Sequence, residues 1–260
     1  TMSTAPKFHL LSVVENRLLS PNMRRLTLAG EVLQQWPNNS DGGYFKLCFS
    51  ADGQAFQQLP EDGIRPLMRT YTIRRLRPQQ QQLDVDVMLH GDQQHSGPAS
   101  RWASQAEVGS HIMIAGPGPA KSPAAASGYL LAGDMTALPA ISAHLENLPD
   151  DAQGHAVIAV PETADQLPLR HPVGINLHWL HHQKDLLAKI QSLELAQDLA
   201  VWVACEFDQM RAIRQFVRQQ LQLPRQQTYL SRSWKQGRSE DEHKVIKQQD
   251  LASSEANASV

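Results

Sequence analysis

Arg69-Thr70-Tyr71-Thr72-Ile73-Arg74 is a short run of β-branched and aromatic side chains closed at each end by a guanidinium. Side chains alternate on a strand, so Arg69, Tyr71 and Ile73 share one face and Thr70, Thr72 and Arg74 the other. One strand therefore offers a flat aromatic wall, hydroxyl partners and fixed positive charge. A ligand that joins a flat apolar ring to a charged pyrophosphate needs all three. Arginine suits the phosphate because its planar fork donates two charge-assisted bonds at once. An ordinary surface strand with a half-buried tyrosine reads the same way from these six residues alone.

The next segment narrows the choice. Leu83 to Leu89 is strand-like and ends at His90-Gly91, and Gly97-Pro98-Ala99-Ser100-Arg101-Trp102-Ala103 follows. Proline at the first helical position and small residues behind it fit a helix start, where unpaired amides and the dipole form an anion site that a phosphate can approach closely. Placed one strand after Arg-x-Tyr-Thr-x-Arg, this helix start is expected to face the same ligand, with His90 helping to line the pocket.

Working outward, β-type runs occupy Phe8 to Val14, Met23 to Leu28, Tyr44 to Phe49, Met68 to Ile73, Leu83 to Leu89 and His111 to Ile114, separated by turn-rich stretches such as Asn38 to Gly43. Short strands with only one brief helix predict a small closed antiparallel barrel of six strands. Gly116 to Pro123, rich in Pro and Gly, reads as a linker. Beyond it the pattern changes to near-continuous apolar strands, Tyr129 to Leu131, Ala156 to Val160, Ile175 to Leu180, Ala200 to Ala204 and Gln227 to Leu230. Helical segments at Thr136 to Leu148, Lys184 to Ile190 and Phe207 to Leu221 lie between them, as a parallel sheet covered on both faces requires. Such a sheet binds ligands at the carboxyl ends of its strands, so the loop Ala132 to Pro139 is a candidate site. Thr136 is placed to cap the following helix, with Pro139 in its first turn.

The strand and the helix start together resemble the flavin cradle of the ferredoxin-reductase-like flavoproteins, and their wording is most similar to that of the siderophore-interacting proteins. A third similarity is Gly133-Asp134-Met135-Thr136-Ala137-Leu138-Pro139, where the family commonly has Gly-Asp-Glu-Thr-Ala-Leu-Pro and this chain carries Met135 for Glu. A fourth is Arg232 to Glu240, where the family usually has Tyr-Trp-Arg-x-Gly-Arg: Trp234, Gly237 and Arg238 match, while Ser233 and Lys235 depart.

This resemblance, over about residues 8 to 245, implies a two-domain β plus α/β fold. Residues 8–122 would form the six-stranded antiparallel FAD-binding barrel. Residues 123–250 would form a parallel-sheet, ferredoxin-reductase-like nucleotide-binding domain ending in a flavin-covering segment. It implies that Arg69 holds the FAD pyrophosphate, Tyr71 packs on the ribityl and ring, and Thr72 sits near the reactive edge. Asp86, Val87, His90, Ala99 and Ser100 complete the cradle, Asp134 and Thr136 lie where nicotinamide meets flavin, and Trp234 covers the flavin or its adenine. Lys46, Arg74, Lys235 and Arg238 are the cations expected to steer and hold an anionic ferric siderophore.

The implied chemistry is electron transfer from NADH, NADPH or a reduced ferredoxin to the flavin, then single-electron steps to iron(III). Reduction to iron(II) weakens a chelate built from hard oxygen donors, and no protein nucleophile or base is required. Two other readings stand beside this one. A ferredoxin or flavodoxin reductase would carry a Gly-x-Gly-x-x-Pro loop in place of Gly133 to Pro139, and a non-catalytic siderophore carrier would need no flavin.

Composition bounds the alternatives. The chain has 260 residues and a formal net charge of −2, whereas duplex nucleic acid demands a concentrated basic face. No stretch approaches the ~20 apolar residues that span a bilayer, and no basic-then-apolar leader is evident, so the expected compartment is the cytoplasm. Two cysteines, Cys48 and Cys205, cannot hold an iron-sulfur cluster by themselves. Cys205 reads as a buried strand-end residue, the alternative being a thiol that faces the flavin. His178, His181 and His182 read as structural or surface residues, the Gln79 to Gln82 run as a solvated turn, and the tail after Gln248 as disordered.

Overall fold

The structure is a computed structural model that describes residues 7–58, 63–90 and 97–234, with Arg232–Trp234 described by backbone alone. Its first half contains β1 (Phe8–Ser20), β2 (Met23–Ala29), β3 (Tyr44–Phe49), β4 (Leu67–Thr72), β5 (Arg75–Arg77), β6 (Gln82–Met88), α1 (Pro98–Gln105) and β7 (His111–Gly118). The strands form one antiparallel sheet in the order β4-β3-β7-β1-β2-β6-β5. Two-residue periodicity sets the sides. Leu83, Val85 and Val87 of β6 enter the core with Phe45, Leu47, Leu26 and Leu28, while Asp84 and Asp86 turn to the opposite face beside Thr27 and Arg25.

The six-stranded closed barrel is corrected to seven strands and an open ladder. The chain changes neighbours at a corner. Ile73 still exchanges bonds with Gly42 and Gly43, next to β3, and one residue later the Arg74 amide donates to the Asp84 carbonyl of β6 at 2.9 Å. The extra strand β5 follows that corner, and β4 and β5 are left as the two edges. Two further boundaries differ. β1 runs on to Ser20 because it pairs first with β7 and then with β2, so ladder bonds carry it through polar residues that lack strand patterning. The supposed linker begins inside β7, whose Gly118 pairs with Tyr44 across an irregularity in register, a setting that tolerates proline.

The second half alternates β8 (Gly128–Asp134), α2 (Leu138–Asn147), β9 (Gln153–Ala159), β10 (Gly174–Leu180), α3 (Leu186–Gln191), β11 (Leu199–Glu206), α4 (Phe207–Phe216) and β12 (Thr228–Trp234). A π turn, Val217–Leu221, continues α4. The strands are parallel, in the order β10-β9-β8-β11-β12. One face packs on α3 and α4, with Cys205 buried there. The other packs on α2 and also receives Leu19, Met23 and Met88 from the first half. No helix among the described residues is long and apolar enough to cross a membrane.

Polar contacts reinforce that apolar junction. The Asp165 carboxylate is fully buried and accepts from Ser20 Oγ at 2.6 Å, Asn22 N at 2.9 Å and Asn22 Nδ2 at 2.8 Å, all from the β1–β2 turn. Gly42, at φ +80, lies so close to α2 that an added Cβ would stand 3.0 Å from His144 Cε1. His144 is 1% exposed, its edge meets Trp202 at a centroid distance of 5.0 Å, and neither ring nitrogen has a hydrogen-bond partner.

Burial pushes the His144 imidazole down to about 4. An unfolded histidine takes up its proton near 6.5, so between these values the unfolded chain binds a proton that the folded chain refuses. Stability contributed by neutral His144 is therefore lost as pH falls from about 6.5 towards 4. Replacing His144 with Met should flatten the dependence of the urea midpoint on pH across this window. Parallel curves for parent and variant would show that His144 is not the source.

Candidate functional site

Two places in the fold meet the requirements for a nucleotide-type ligand. In the first half, β4 carries Arg69 opposite Leu47, Tyr71 opposite Phe45, Thr70 opposite Lys46 and Thr72 opposite Tyr44. Tyr71 is half-buried against the same core that receives Leu89 from the end of β6 and Ala99, Trp102 and Ala103 from α1. A single apolar cluster thus gathers the Arg-x-Tyr-Thr strand and the helix start.

The position of α1 is fixed at both ends. Asn16 Nδ2 donates to the Ala103 and Ala106 carbonyls, each at 2.9 Å, and the Trp102 ring meets Phe49 edge-on at 6.4 Å. At its start, the His90 amide donates to the buried Ser100 Oγ at 3.3 Å. The first helical bond is that of the Arg101 amide to the Gly97 carbonyl, so the amides of Ala99 and Ser100 precede the ladder. Among the described residues, a Cβ on Gly97 would meet only His90 Cε1, at 3.7 Å, an ordinary contact distance. Fixed guanidinium, early helix amides, small side chains and an aromatic wall are a donor set that fits FAD, with its anionic pyrophosphate and flat ring.

Several residues expected in the cradle already have partners within the fold. The Val87 side chain is buried in the core of the first half, because strand alternation sends it inward with Leu83 and Val85. Asp86 is spent on Arg25, which donates from Nε at 2.6 Å and from a terminal nitrogen at 2.7 Å. Arg74, expected to face substrate, is 11% exposed and reaches into the second half, where its fork donates to Glu146 at 2.6 and 3.2 Å. Arg75 donates to the same carboxylate at 2.8 Å, Arg77 holds Asp84 at 2.7 Å, and Asp41 accepts from the Leu76 amide at 2.6 Å. Arg25, Arg74, Arg75 and Arg77 are thereby paired with Asp84, Asp86 and Glu146, so these charges are engaged within the fold. Lys46 is half-buried on the face that also carries Thr70. Lys235 and Arg238 lie outside the described residues, as does the side chain of Trp234, whose backbone pairs beside Glu206 at the end of β12.

The second place is the carboxyl edge of the parallel sheet. The strand order reverses between β8 and β11, and a crevice opens at such a switch point. Asp134 ends β8 and Glu206 ends β11. The Asp134 carboxylate accepts from Thr136 N at 2.9 Å, from Thr136 Oγ1 and from the Glu206 amide at 3.1 Å, which ties the two strand ends together. Thr136 does not cap α2: Ala137 holds the N-cap position, Pro139 lies in the first turn, and the threonine hydroxyl is committed to Asp134. Met135 is buried in the core beneath the loop, so this position carries no exposed charge.

Glu206 escaped the sequence reading. Its side chain accepts from the Asp208 and Gln209 amides at 2.7 and 3.3 Å and caps α4. The signal was there, since an acidic residue directly after an apolar strand and two before Asp208 is a helix-start pattern. Cys205 lies on the α3–α4 side and does not face the junction between halves; burial raises its thiol, and that of Cys48 to about 12, so neither is a ready thiolate at neutral pH. No cluster of three or more metal-ligating side chains occurs among the described residues.

Comparison with known proteins agrees with this layout. Residues 12–121 match the family described as "Siderophore-interacting FAD-binding domain", and residues 126–237 match "Siderophore-interacting protein". Over 251 residues, covering 89% of this chain and 91% of the relative, the chain is 32% identical to the ferric vibriobactin reductase ViuB of Vibrio cholerae. Over 216 residues, covering 77% of this chain and 82% of the relative, it is 30% identical to the NADPH-dependent ferric-chelate reductase of Escherichia coli K12. The crystal structure of the siderophore-interacting protein SipS from Aeromonas hydrophila is similar at a TM-score of 0.84 and 35% identity, covering 95% of this chain and 99% of that one.

Proposed function

Because the chain belongs to the siderophore-interacting protein family, we propose that it is an FAD-dependent oxidoreductase that reduces ferric siderophores and releases their iron as iron(II). The observation that supports this reading is that Tyr71 of β4 and Ala99, Trp102 and Ala103 of α1 pack on one core, so the strand that carries Arg69 and the helix start share a common support. Bound FAD accepts two electrons together and gives them up singly, which suits a two-electron donor and a one-electron metal.

In this reading Arg69 and the amides of Ala99 and Ser100 bind the pyrophosphate, and Tyr71 and Thr72 orient the ring. His90 and Ser100, joined by their hydrogen bond, set the angle at which α1 meets the cofactor. Val87 contributes through its backbone, and Asp86 by fixing Arg25. The Asp134–Thr136 loop and Glu206 shape the crevice for a reduced nicotinamide, with a reduced ferredoxin as the alternative donor. Trp234, at the end of β12, covers the ring. Because the loop has no Gly-x-Gly-x-x-Pro pattern, pyridine-nucleotide affinity is modest.

The test is an absorption spectrum of purified protein, followed by anaerobic addition of NADPH, NADH or reduced ferredoxin and then a ferric siderophore. Visible flavin bands that bleach with a donor and return with the ferric chelate support the reading. A colourless protein that binds no added FAD would sink it.

Substrate steering is assigned to Lys46, Lys235 and Arg238. Reversing Lys235 and Arg238 together to Glu should raise KM for an anionic ferric chelate, more at low than at high salt, with FAD content unchanged. Salt-insensitive, unaltered kinetics would place the chelate elsewhere.

A further inference from the structure

We infer that Glu146, a residue of the second half, is a positioning residue for the flavin strand of the first: it locks the corner at which β4 ends and so fixes how Arg69, Tyr71 and Thr72 meet FAD. The inference rests on the reading of β4 as the flavin strand. Its basis is a local contradiction. Adjacent residues in an extended chain point to opposite faces, so Arg74 and Arg75 would diverge if the strand simply continued. Both instead reach one carboxylate, at 2.6 and 2.8 Å.

That convergence requires the turn between β4 and β5, where the backbone leaves Gly43 and takes up Asp84. Two neighbouring guanidiniums repel each other, and Glu146, 15% exposed, supplies the charge that allows them to sit together. Among the described residues of the first half, the carboxylate that Arg74 approaches is Asp86, at 3.9 Å and already engaged by Arg25. The corner is thus completed from α2, the helix that begins just after the Asp134–Thr136 loop. One carboxylate therefore links the strand proposed to hold the flavin with the helix proposed to adjoin the donor.

The experiment is titration of flavin-free full-length protein with FAD, in the parent and in Glu146→Gln, Asp165→Asn and Arg69→Ala, with the thermal midpoint of each flavin-free protein measured alongside. Asp165 serves as control because it joins the halves through the β1–β2 turn rather than through the corner. Glu146→Gln should raise the Kd for FAD about tenfold, whereas Asp165→Asn should stay within about twofold even where it lowers the midpoint as much, since sites without shared partners act independently. In Glu146→Gln, amide exchange should also quicken in residues 67–77 of the flavin-free protein.

An unchanged Kd in Glu146→Gln overturns the inference. So does a loss of affinity that merely tracks the midpoint in both variants. If Arg69→Ala leaves FAD binding intact, the flavin-strand reading itself fails; if Arg69→Ala weakens binding and Glu146→Gln does not, only the role of Glu146 falls. Should Glu146→Gln not fold, Arg75→Met removes the more exposed guanidinium and must shift the Kd in the same direction, or the inference is overturned.

Discussion

Arg69→Ala is expected to weaken FAD retention by tens of fold while leaving the antiparallel sheet folded. Arg69 stands on an edge strand of the sheet, half-buried, with Leu47 across the ladder and Tyr71 two residues on along the same face. Losing hydrogen bonds to a charged group typically costs ~1.5 to 3 kcal/mol, and each 1.4 kcal/mol is about tenfold in affinity. Its aliphatic stem adds little to a core already filled by Phe45, Leu47 and Phe49, but its guanidinium donates to the Met68 carbonyl at 3.1 Å, so part of the effect falls on the stability of the flavin-free protein. Equilibrium dialysis with FAD, together with thermal unfolding of the flavin-free protein, separates the two effects. A variant that holds FAD as tightly as the parent would remove Arg69 from the pyrophosphate site.

Asp165→Ala should have the largest effect on stability. The carboxylate is fully buried and serves three donors from the other half of the molecule, so its removal orphans Ser20 Oγ, Asn22 N and Asn22 Nδ2 together. Each buried donor left without a partner costs about 1 to 3 kcal/mol, and since Asn22 is only partly buried a total of roughly 2 to 4 kcal/mol is expected. For a protein of this size that lowers the thermal midpoint by roughly 5 to 10 °C. Because the bonds join the two halves, the unfolding transition should also broaden or split. A midpoint within a degree or so of the parent would mean that water replaces the carboxylate at no cost.

Much of the architecture could be read from periodicity because the apolar pattern is strong where an element is buried on a defined side. The switch from two-residue alternation in the first half to continuous apolar runs after Gly128 separates an antiparallel sheet from a parallel one. Each predicted strand of the parallel sheet is present. Boundaries were missed where hydrogen bonding rather than burial carries the strand. The polar stretch Glu15 to Ser20 belongs to β1 because β2 pairs with it. Arg75 to Arg77 has no strand signature at all, yet pairs with β6.

The candidate site divides along the same line. Residue type and local order were enough to bring out Arg69-x-Tyr71-Thr72, the Gly97 to Ala99 helix start and the Asp134 loop, because the chemistry of a phosphate or a ring demands such groups at short spacing. Which charged residues remain available to a ligand was not legible. A guanidinium or carboxylate on a strand, such as Arg74 or Asp86, is equally suited to a ligand and to an ion pair. Their partners, Glu146 and Arg25, lie 72 and 61 positions away.

The sequence by itself therefore determined the two kinds of sheet, the buried faces and the residue types of a flavin cradle, all of which depend on near neighbours and on the periodicity of the backbone. Only the tertiary structure decided that the ladder stays open at Ile73–Arg74, that Val87 turns inward, that Asp134 bridges two strand ends, and that Arg74 and Arg75 meet Glu146 at the end of β4. Those outcomes depend on which distant charges and amides meet when the two halves pack. Coulombic and hydrogen-bond partners are chosen by distance in space, a quantity that sequence separation does not encode.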